Sequence, residues 1–365
     1  MSNIREYKEI MAFHPGYYVG EIIEDMEISQ AEFAIRLGTT AKTVSKLVNG
    51  QINLSNDLAK KLSSMLGTSV DLWLNLQQTY EKKVIEIEQE KELDKQAEII
   101  KQIDYSYFVQ LGVIPKVTSI KEKILNLCKY LKVADLRILS EKDFLVNFRT
   151  GISNVQEKNI INSRAWIQTA INESENIKTE SFDAKKLESY LPELRGMTVQ
   201  QPSEFYPRMK EIFTECGVAF VLLPHLKNSG VNGAVKWINP NRVVLAMNNR
   251  GLYADKFWFS LFHEIKHVLQ QKIKTTFISD SSEQMMELDQ ALEKEADDFS
   301  MNYLIPTLEM SKFLENGKLS NQDIIEFAQH IGIHPGIVVG RLQHDGNLEQ
   351  NKGSKLKEKY EIKLR

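Results

Sequence analysis

The sequence predicts a mainly α-helical protein with a small β-sheet in its C-terminal half. Apolar residues recur three and four positions apart in many segments, which is the period of amphipathic helices. Two shorter apolar runs, Val218 to Leu223 and the run ending at Leu245, have the length and composition of strands. With 365 residues, of which 42% are hydrophobic, the chain can build two or three domains. We expect an N-terminal helical domain over 1–79, a helical linker and support region over 80–200, an α+β domain over 201–345 and a charged C-terminal tail over 346–365.

The N-terminal domain contains two short helices joined by a turn at Gly38. Ser29 can cap the first helix and Thr39 or Thr40 the second, because a hydroxyl oxygen accepts from the unpaired N–H groups of a first turn. A small apolar seam would hold the two helices crossed: Ala34, Leu37, Val44 and Leu47. This pattern predicts a helix-turn-helix.

The second of these helices leaves a polar face for double-stranded DNA. With the seam inward, four residues point outward towards base edges: Ala41, Lys42, Thr43 and Lys46. Gln30 and Thr40 would contact phosphate. Residues 1–80 hold seven Lys and Arg against nine Asp and Glu, so local rather than net charge must carry phosphate binding. We therefore expect modest, salt-sensitive affinity that improves on dimerisation.

These motifs, with the segments that flank them, resemble the XRE-type helix-turn-helix and specifically the HigA-type antitoxins. The flanking matches are His14-Pro15-Gly16, Asn56-Asp57-Leu58-Ala59, Leu66-Gly67-Thr68-Ser69 and Leu72-Trp73-Leu74-Asn75-Leu76-Gln77. The resemblance implies a five-helix, lambda-repressor-like domain, an operator as DNA partner, a homodimer and a toxin as protein partner.

The region between the N-terminal and C-terminal domains carries the fewest motifs that indicate a function. From Tyr80 to Ile103 glutamate and lysine alternate so densely that an exposed helix with a thin apolar stripe is expected. More amphipathic helices follow, at 121–132, 159–172, 182–194 and 202–216. This region could support the C-terminal domain or sense a signal, and we assign no chemistry to it.

The C-terminal domain carries the sequence His263-Glu264-Ile265-Lys266-His267 on a predicted helix over 254–270. Residues i and i+4 share one face of a helix, so both imidazoles can converge on one Zn²⁺ ion. Glu264 would then face the metal-bound water as general base. The motif predicts the catalytic centre of a zinc-dependent endopeptidase.

A third metal ligand is expected from a second predicted helix, which starts at Leu292. Glu293 is the first choice, because small Ala296 and Ser300 on the same face would let this helix approach closely. Glu295, on another face, is the alternative ligand. Asp297, one turn beyond Glu293, could accept the second ring N–H of a ligand histidine as an outer partner.

Residues 218–341 resemble the ImmA/IrrE zinc metallopeptidases. The match runs through both strands, Asn232-Gly233-Ala234, the His263 motif, and Glu293 to Phe299 closing on Tyr303-Leu304-Ile305-Pro306. The resemblance implies cleavage of a partner transcriptional repressor. One departure is Lys266, where the family usually has glycine. The alternative function is a non-proteolytic antitoxin or repressor whose peptidase-like domain is structural or sensory.

The remaining composition favours a cytoplasmic protein. Net charge is only −3, and the two cysteines, Cys128 and Cys216, lie far apart in apolar stretches, as reduced thiols do. Arg5 and Lys8 fall where a signal peptide would have its apolar core. No apolar run reaches membrane-spanning length, so we expect no membrane partner.

Overall fold

The computed structural model describes residues 3–141, 156–248, 253–270 and 283–360, apart from positions 316 and 318 and the side chains of 283–289. The chain divides into two compact units, Met1–Lys101 with Val117–Leu125 and Gln102–Lys116 with Asn126–Arg365. Helices dominate both, which confirms the predicted mainly α fold with a small sheet. In the described ranges, every helix is too short or too polar to cross a bilayer.

The first unit begins with a hairpin, and five helices follow within residues 3–101. The elements are β1 (Ile4–Tyr7), β2 (Ile10–Phe13), α1 (Pro15–Asp25), α2 (Gln30–Arg36), α3 (Ala41–Val48), α4 (Asn56–Leu66) and α5 (Val70–Ile100). Each helix starts where a side chain accepts from its first turn. The capping residues are His14, Ser29, Thr40, Ser55 and Ser69.

Helices α2 and α3 cross as a helix-turn-helix. The four residues of the predicted seam are buried: Ala34, Leu37, Val44 and Leu47. Gly38 makes the turn at a φ of 64°, a backbone conformation that glycine adopts without strain. Phe33 and Trp73 extend this core towards α5. The seam therefore fixes the angle at which α3 presents its outer face.

Helix α5 runs without a break through position 80, where the sequence had suggested a boundary between domain and linker. The segment holds no glycine or proline, and ion pairs such as Lys83–Glu86 at 2.7 Å line its surface. The N-terminal hairpin, which the sequence did not reveal, packs on this helix. Tyr7 donates to Asp94 at 2.5 Å, and Ala12 packs with Tyr80 and Ile87.

The second unit surrounds a three-stranded sheet with helices. Its elements are α6 (Tyr105–Gln110), α8 (Glu157–Ser174), α9 (Ala184–Gly196), α10 (Pro202–Glu215), β3 (Val218–Leu223), β4 (Gly233–Asn239), β5 (Arg242–Asn248), α11 (Ala254–Leu269), α12 (Glu283–Leu304), α13 (Thr307–Glu315), α14 (Asn321–Ile331) and α15 (Pro335–His344), while α7 (Ile120–Leu131) belongs to both units.

The strand order is β3-β5-β4, with β3 parallel and β4 antiparallel to the central β5. Strands β4 and β5 form a hairpin, because Asn239-Pro240-Asn241 turns the chain between them. Strands β3 and β4 are the two edges of this sheet, and the first residue of β4 is Gly233.

The C-terminal segment up to Tyr360 closes the start of α11. Tyr360 is only 3% exposed, and its hydroxyl accepts from Trp258 Nε1 at 2.9 Å. Lys357 pairs with Asp255 at 2.6 Å. Much of the predicted charged tail over 346–365 thus packs on the domain, while residues 361–365 lie outside the described part of the chain.

Candidate metal centre and helix-turn-helix surface

Helix α11 separates a core face from a polar face. Trp258, Phe262 and Ile265 are fully buried against the sheet and neighbouring helices. His263 and His267 lie on the other side, where they face α12. The apolar residues at helical spacing thereby fix the rotation of α11, and with it the direction of both imidazoles.

Three donor atoms converge between α11 and α12. His263 Nε2 lies 3.0 Å from His267 Nε2, and the two carboxylate oxygens of Glu293 lie close to them, Oε2 at 3.4 Å from His263 Nε2 and Oε1 at 3.4 Å from His267 Nε2. Bonds of about 2.0–2.1 Å to a tetrahedral Zn²⁺ would separate its ligand atoms by about 3.3 Å. The observed separations fit a metal ion of this size, and the donor set of two imidazoles and one carboxylate suits zinc.

An oxygen atom of a neighbouring side chain lies close to the Nδ1 atom of each imidazole. His263 Nδ1 lies 2.9 Å from Asp297 Oδ1, and His267 Nδ1 lies 2.9 Å from Gln270 Oε1. With its Nδ1–H donating to Gln270 Oε1, His267 can turn the lone pair of its Nε2 towards a metal ion, and the Asp297 carboxylate lies on the corresponding side of His263. Asp297 lies where the sequence placed it, whereas Gln270 is a partner that the sequence analysis missed.

Glu295, the alternative ligand, points away from this centre. Its carboxylate pairs with Lys266 at 2.9 Å and accepts from Gln270 Nε2 at 2.8 Å. Lys266 therefore has an acidic partner on α12, and this ion pair keeps the Glu295 carboxylate on the side away from the histidines. The structure brings Glu293, and not Glu295, to His263 and His267.

Glu264 lies beside this cluster and against the edge strand β4. It is 8% exposed, and a Cβ added to Gly233 would come within 2.6 Å of its carboxylate. A side chain at position 233 would push Glu264 out of place. Gly233 is thus a positioning residue, and its role depends on a contact between distant segments that the sequence alone did not reveal.

The pKa values of the carboxyl groups differ according to their surroundings. Burial raises the pKa of Glu264, an effect that His263 and His267 offset in part. Burial alone would also raise the pKa of Glu293, but interactions with His263 and His267 lower it far below its usual value. Glu293 is therefore the more acidic and Glu264 the more basic of the two carboxyl groups.

The middle of the chain, to which the sequence assigned no chemistry, holds the loop that leads into Gly233. Asn159 on α8 donates to the carbonyl of Asn228 at 2.9 Å, and Ser163 donates to that of Ser229. Trp166 and Tyr107 both donate to the carbonyl of Pro224, at 3.0 and 3.1 Å. Helices α6 and α8 thereby fix the approach of β4 to Glu264.

In the first unit, α3 presents most of the residues expected to contact DNA. Ala41, Lys42 and Lys46 are exposed on its outer face, and Gln30 is exposed at the start of α2. Thr40 caps α3 by accepting from the Thr43 backbone at 3.1 Å, and the two hydroxyls are 2.9 Å apart. All six residues expected to contact DNA lie on one helix-turn-helix.

The short distance between the Asp297 carboxylate and His263 Nδ1 gives a testable consequence. We expect Asp297→Asn to weaken zinc affinity about 10- to 100-fold, because the loss of the anion relaxes the ring orientation and lowers the basicity of the imidazole. Competition with a coloured chelator measures this affinity. Asp298→Asn is the matched control, since the neighbouring Asp298 is exposed. Equal affinities of the two variants would exclude Asp297 as an outer partner.

Comparison with known proteins agrees with this geometry. Residues 20–73 match the Helix-turn-helix family, and residues 224–343 match the IrrE N-terminal-like domain. A similar relative in Escherichia coli K12 is the uncharacterized HTH-type transcriptional regulator YddM, 36% identical over 72 residues, which are 19% of this chain and 77% of the relative. A crystal structure from Nostoc punctiforme, provisionally named an antidote protein of a plasmid maintenance system, is 33% identical to this chain, with a TM-score of 0.23. The match covers 23% of this chain and 92% of that protein.

Proposed function

The chain belongs to the helix-turn-helix transcriptional regulators, and from this premise we propose that it binds operator DNA and carries a zinc-dependent endopeptidase that cleaves a partner protein. The observation that carries the peptidase proposal is the convergence of His263, His267 and Glu293 beside the buried Glu264. Three protein ligands with a free base next to them are the arrangement of a hydrolytic zinc site, whereas structural zinc sites use four protein ligands.

The residues of the site then have distinct tasks in peptide hydrolysis. Zn²⁺ held by His263, His267 and Glu293 would bring the pKa of a bound water towards neutrality and polarise the peptide carbonyl. Glu264 accepts the proton of the attacking water at its carboxylate and later donates it to the leaving amine. Its burial makes it a stronger proton acceptor than an exposed glutamate.

The substrate segment is proposed to bind in an extended form along β4. This strand is one edge of the sheet, and its first residue contacts Glu264. An extended peptide that pairs with the free edge would pass the catalytic base with its backbone fixed by hydrogen bonds. A repressor or a toxin-system partner is the protein class that suits an enzyme tethered to an operator.

The DNA-binding unit is proposed to act as a homodimer in the cytoplasm. Two copies of α3 would read two half-sites of an operator, as dimeric helix-turn-helix proteins do. The HigA-like motifs favour an antitoxin role, in which the protein represses its own operon and binds the toxin encoded beside it.

Metal content and cleavage together test the peptidase proposal. We expect about one zinc per chain in the purified protein by mass spectrometry, and a single cut in a repressor or toxin encoded next to it. His267→Ala should lose both. Bound zinc without cleavage of any neighbouring gene product would favour the alternative of a structural or sensory domain, and failure to bind added zinc would exclude the peptidase.

The exposed lysines of α3 give a separate test of DNA binding. We expect Lys42→Ala and Lys46→Ala to weaken binding to a duplex of the protein's own promoter, and to reduce the slope of log affinity against log salt by about 1 for each phosphate that is no longer neutralised. Fluorescence anisotropy measures both quantities. Lys95→Ala, an exposed lysine of α5 paired with Glu92, is the control. Unchanged binding by both α3 variants would show that α3 does not read DNA.

A further inference from the structure

A cavity of about 560 Å³ opens beside Glu264 and follows α11 towards its N-terminus. One face of each of three helices, α11, α12 and α15, contributes to its lining. His263 and Glu264 belong to its lining, as do Lys256, two turns earlier on α11, and Arg341 on α15. The volume falls within the range of sites that enclose a ligand of drug size, so the cavity is larger than a metal centre needs.

Part of the wall of this cavity is apolar. The apolar lining residues are Phe259, Met301, Leu304, Ile305 and Ile337. They come from all three helices, and Leu304, Ile305 and Ile337 also belong to the domain core. Walls anchored in the core cannot collapse when the cavity is empty, so an apolar side chain would enter a preformed site.

Two cations of the lining, Lys357 and Arg341, pair with acidic residues, while a third, Lys256, is left over among the residues that the structure describes. Lys357 pairs with Asp255 at 2.6 Å. Arg341 Nε binds Asp345 at 2.6 Å, but its Nη1 is buried without a hydrogen-bond partner in the described part of the chain. Lys256 is exposed and makes no ion pair with any described residue. A carboxylate would complement these two cations.

The distance along α11 between Lys256 and Glu264 can be compared with the length of an extended substrate peptide. Eight residues of α11 separate Lys256 from Glu264, which is about 12 Å along the helix axis. An extended peptide covers about 3.3–3.6 Å per residue, so three or four residues span this distance. We propose that the cavity is a substrate subsite that takes a large apolar side chain next to the scissile bond and, three or four residues away, an acidic side chain at Lys256 and Arg341.

This inference rests on the proposed peptidase function, and the experiment separates the two. The probe is a pooled set of decapeptides with Leu or Ser at one fixed position, and Asp, Asn or Lys three or four residues to either side. Cleavage by the zinc-loaded wild type and retention by zinc-loaded Glu264→Gln are both read by mass spectrometry. We expect about a 10- to 100-fold preference for Leu over Ser and about a three- to fivefold preference for Asp over Asn.

Lys256→Glu should shift the preference from Asp to Lys, whereas Lys294→Glu, an exposed control on α12, should not. Cleavage without these preferences, or a Lys256→Glu profile equal to that of the wild type, overturns the subsite and leaves the peptidase intact. Retention of Leu- and Asp-containing peptides without cleavage keeps the subsite and overturns the peptidase. Neither cleavage nor selective retention overturns both.

Discussion

Replacement of Glu264 by glutamine is expected to slow peptide cleavage by about 10²- to 10⁴-fold while zinc stays bound. The amide has nearly the shape of the carboxylate but cannot accept a proton at neutral pH. Glu264 is not one of the three converging donors, so its charge is not needed to hold the metal. Single-turnover cleavage of the partner protein measures the rate, and mass spectrometry of the intact protein measures bound zinc.

Glu309→Gln supplies the control for this change, because Glu309 is a surface carboxylate of α13 that pairs with Lys312 at 3.2 Å. It should keep the wild-type rate. A Glu264→Gln variant that cleaves as fast as the wild type would rule out Glu264 as the general base. A variant that loses zinc would instead place Glu264 among the ligands, with the base to be sought elsewhere.

The sequence revealed the parts of the site that lie on one helix. His263 and His267 share a face because of helical spacing alone, and the apolar stripe of α11 fixes where that face points. The caps and the apolar seam of the helix-turn-helix could be predicted for the same reason, since both are local patterns. Local periodicity was thus sufficient wherever a functional group depends on a single element.

The choice between Glu293 and Glu295 needed the second helix in place. Glu293 and Glu295 lie on different faces of α12, and in the structure Glu293 faces the two histidines while Glu295 pairs with Lys266 of α11. The same limit explains why the contacts of Gln270 with His267 and of Gly233 with Glu264 were not predicted. Each depends on a contact with a residue on another element, and a single sequence carries no record of such contacts.

The N-terminal hairpin was missed for a different reason. Its strands have four residues each, and Lys8 occupies the turn at a φ of 54°, where glycine or asparagine would have given a visible signal. The hairpin is held instead by tertiary contacts of Tyr7 and Lys8 with Asp94 on α5. Strands that depend on such contacts leave weak local patterns.

Substitution of Gly16 is expected to destabilise the helix-turn-helix unit strongly. A Cβ at this position would overlap the carbonyl oxygen of Leu47 and lie 2.6 Å from its carbonyl carbon. Leu47 belongs to α3, so α1 and α3 must separate to admit a methyl group. We expect Gly16→Ala to destabilise this unit by about 1–3 kcal/mol, because backbone atoms cannot rotate away as a side chain does.

Gly20→Ala is the matched control on the same helix, since its Cβ would meet only the Val48 side chain, at 3.3 Å. There the better helix propensity of alanine should stabilise α1 by up to about 1 kcal/mol. Hydrogen exchange of the full chain, resolved by mass spectrometry, should show faster exchange in α1 and α3 for Gly16→Ala only, together with weaker binding to the promoter duplex. If Gly16→Ala retained wild-type exchange and DNA affinity, the close packing of α1 on α3 would not be what holds the reading helix in place.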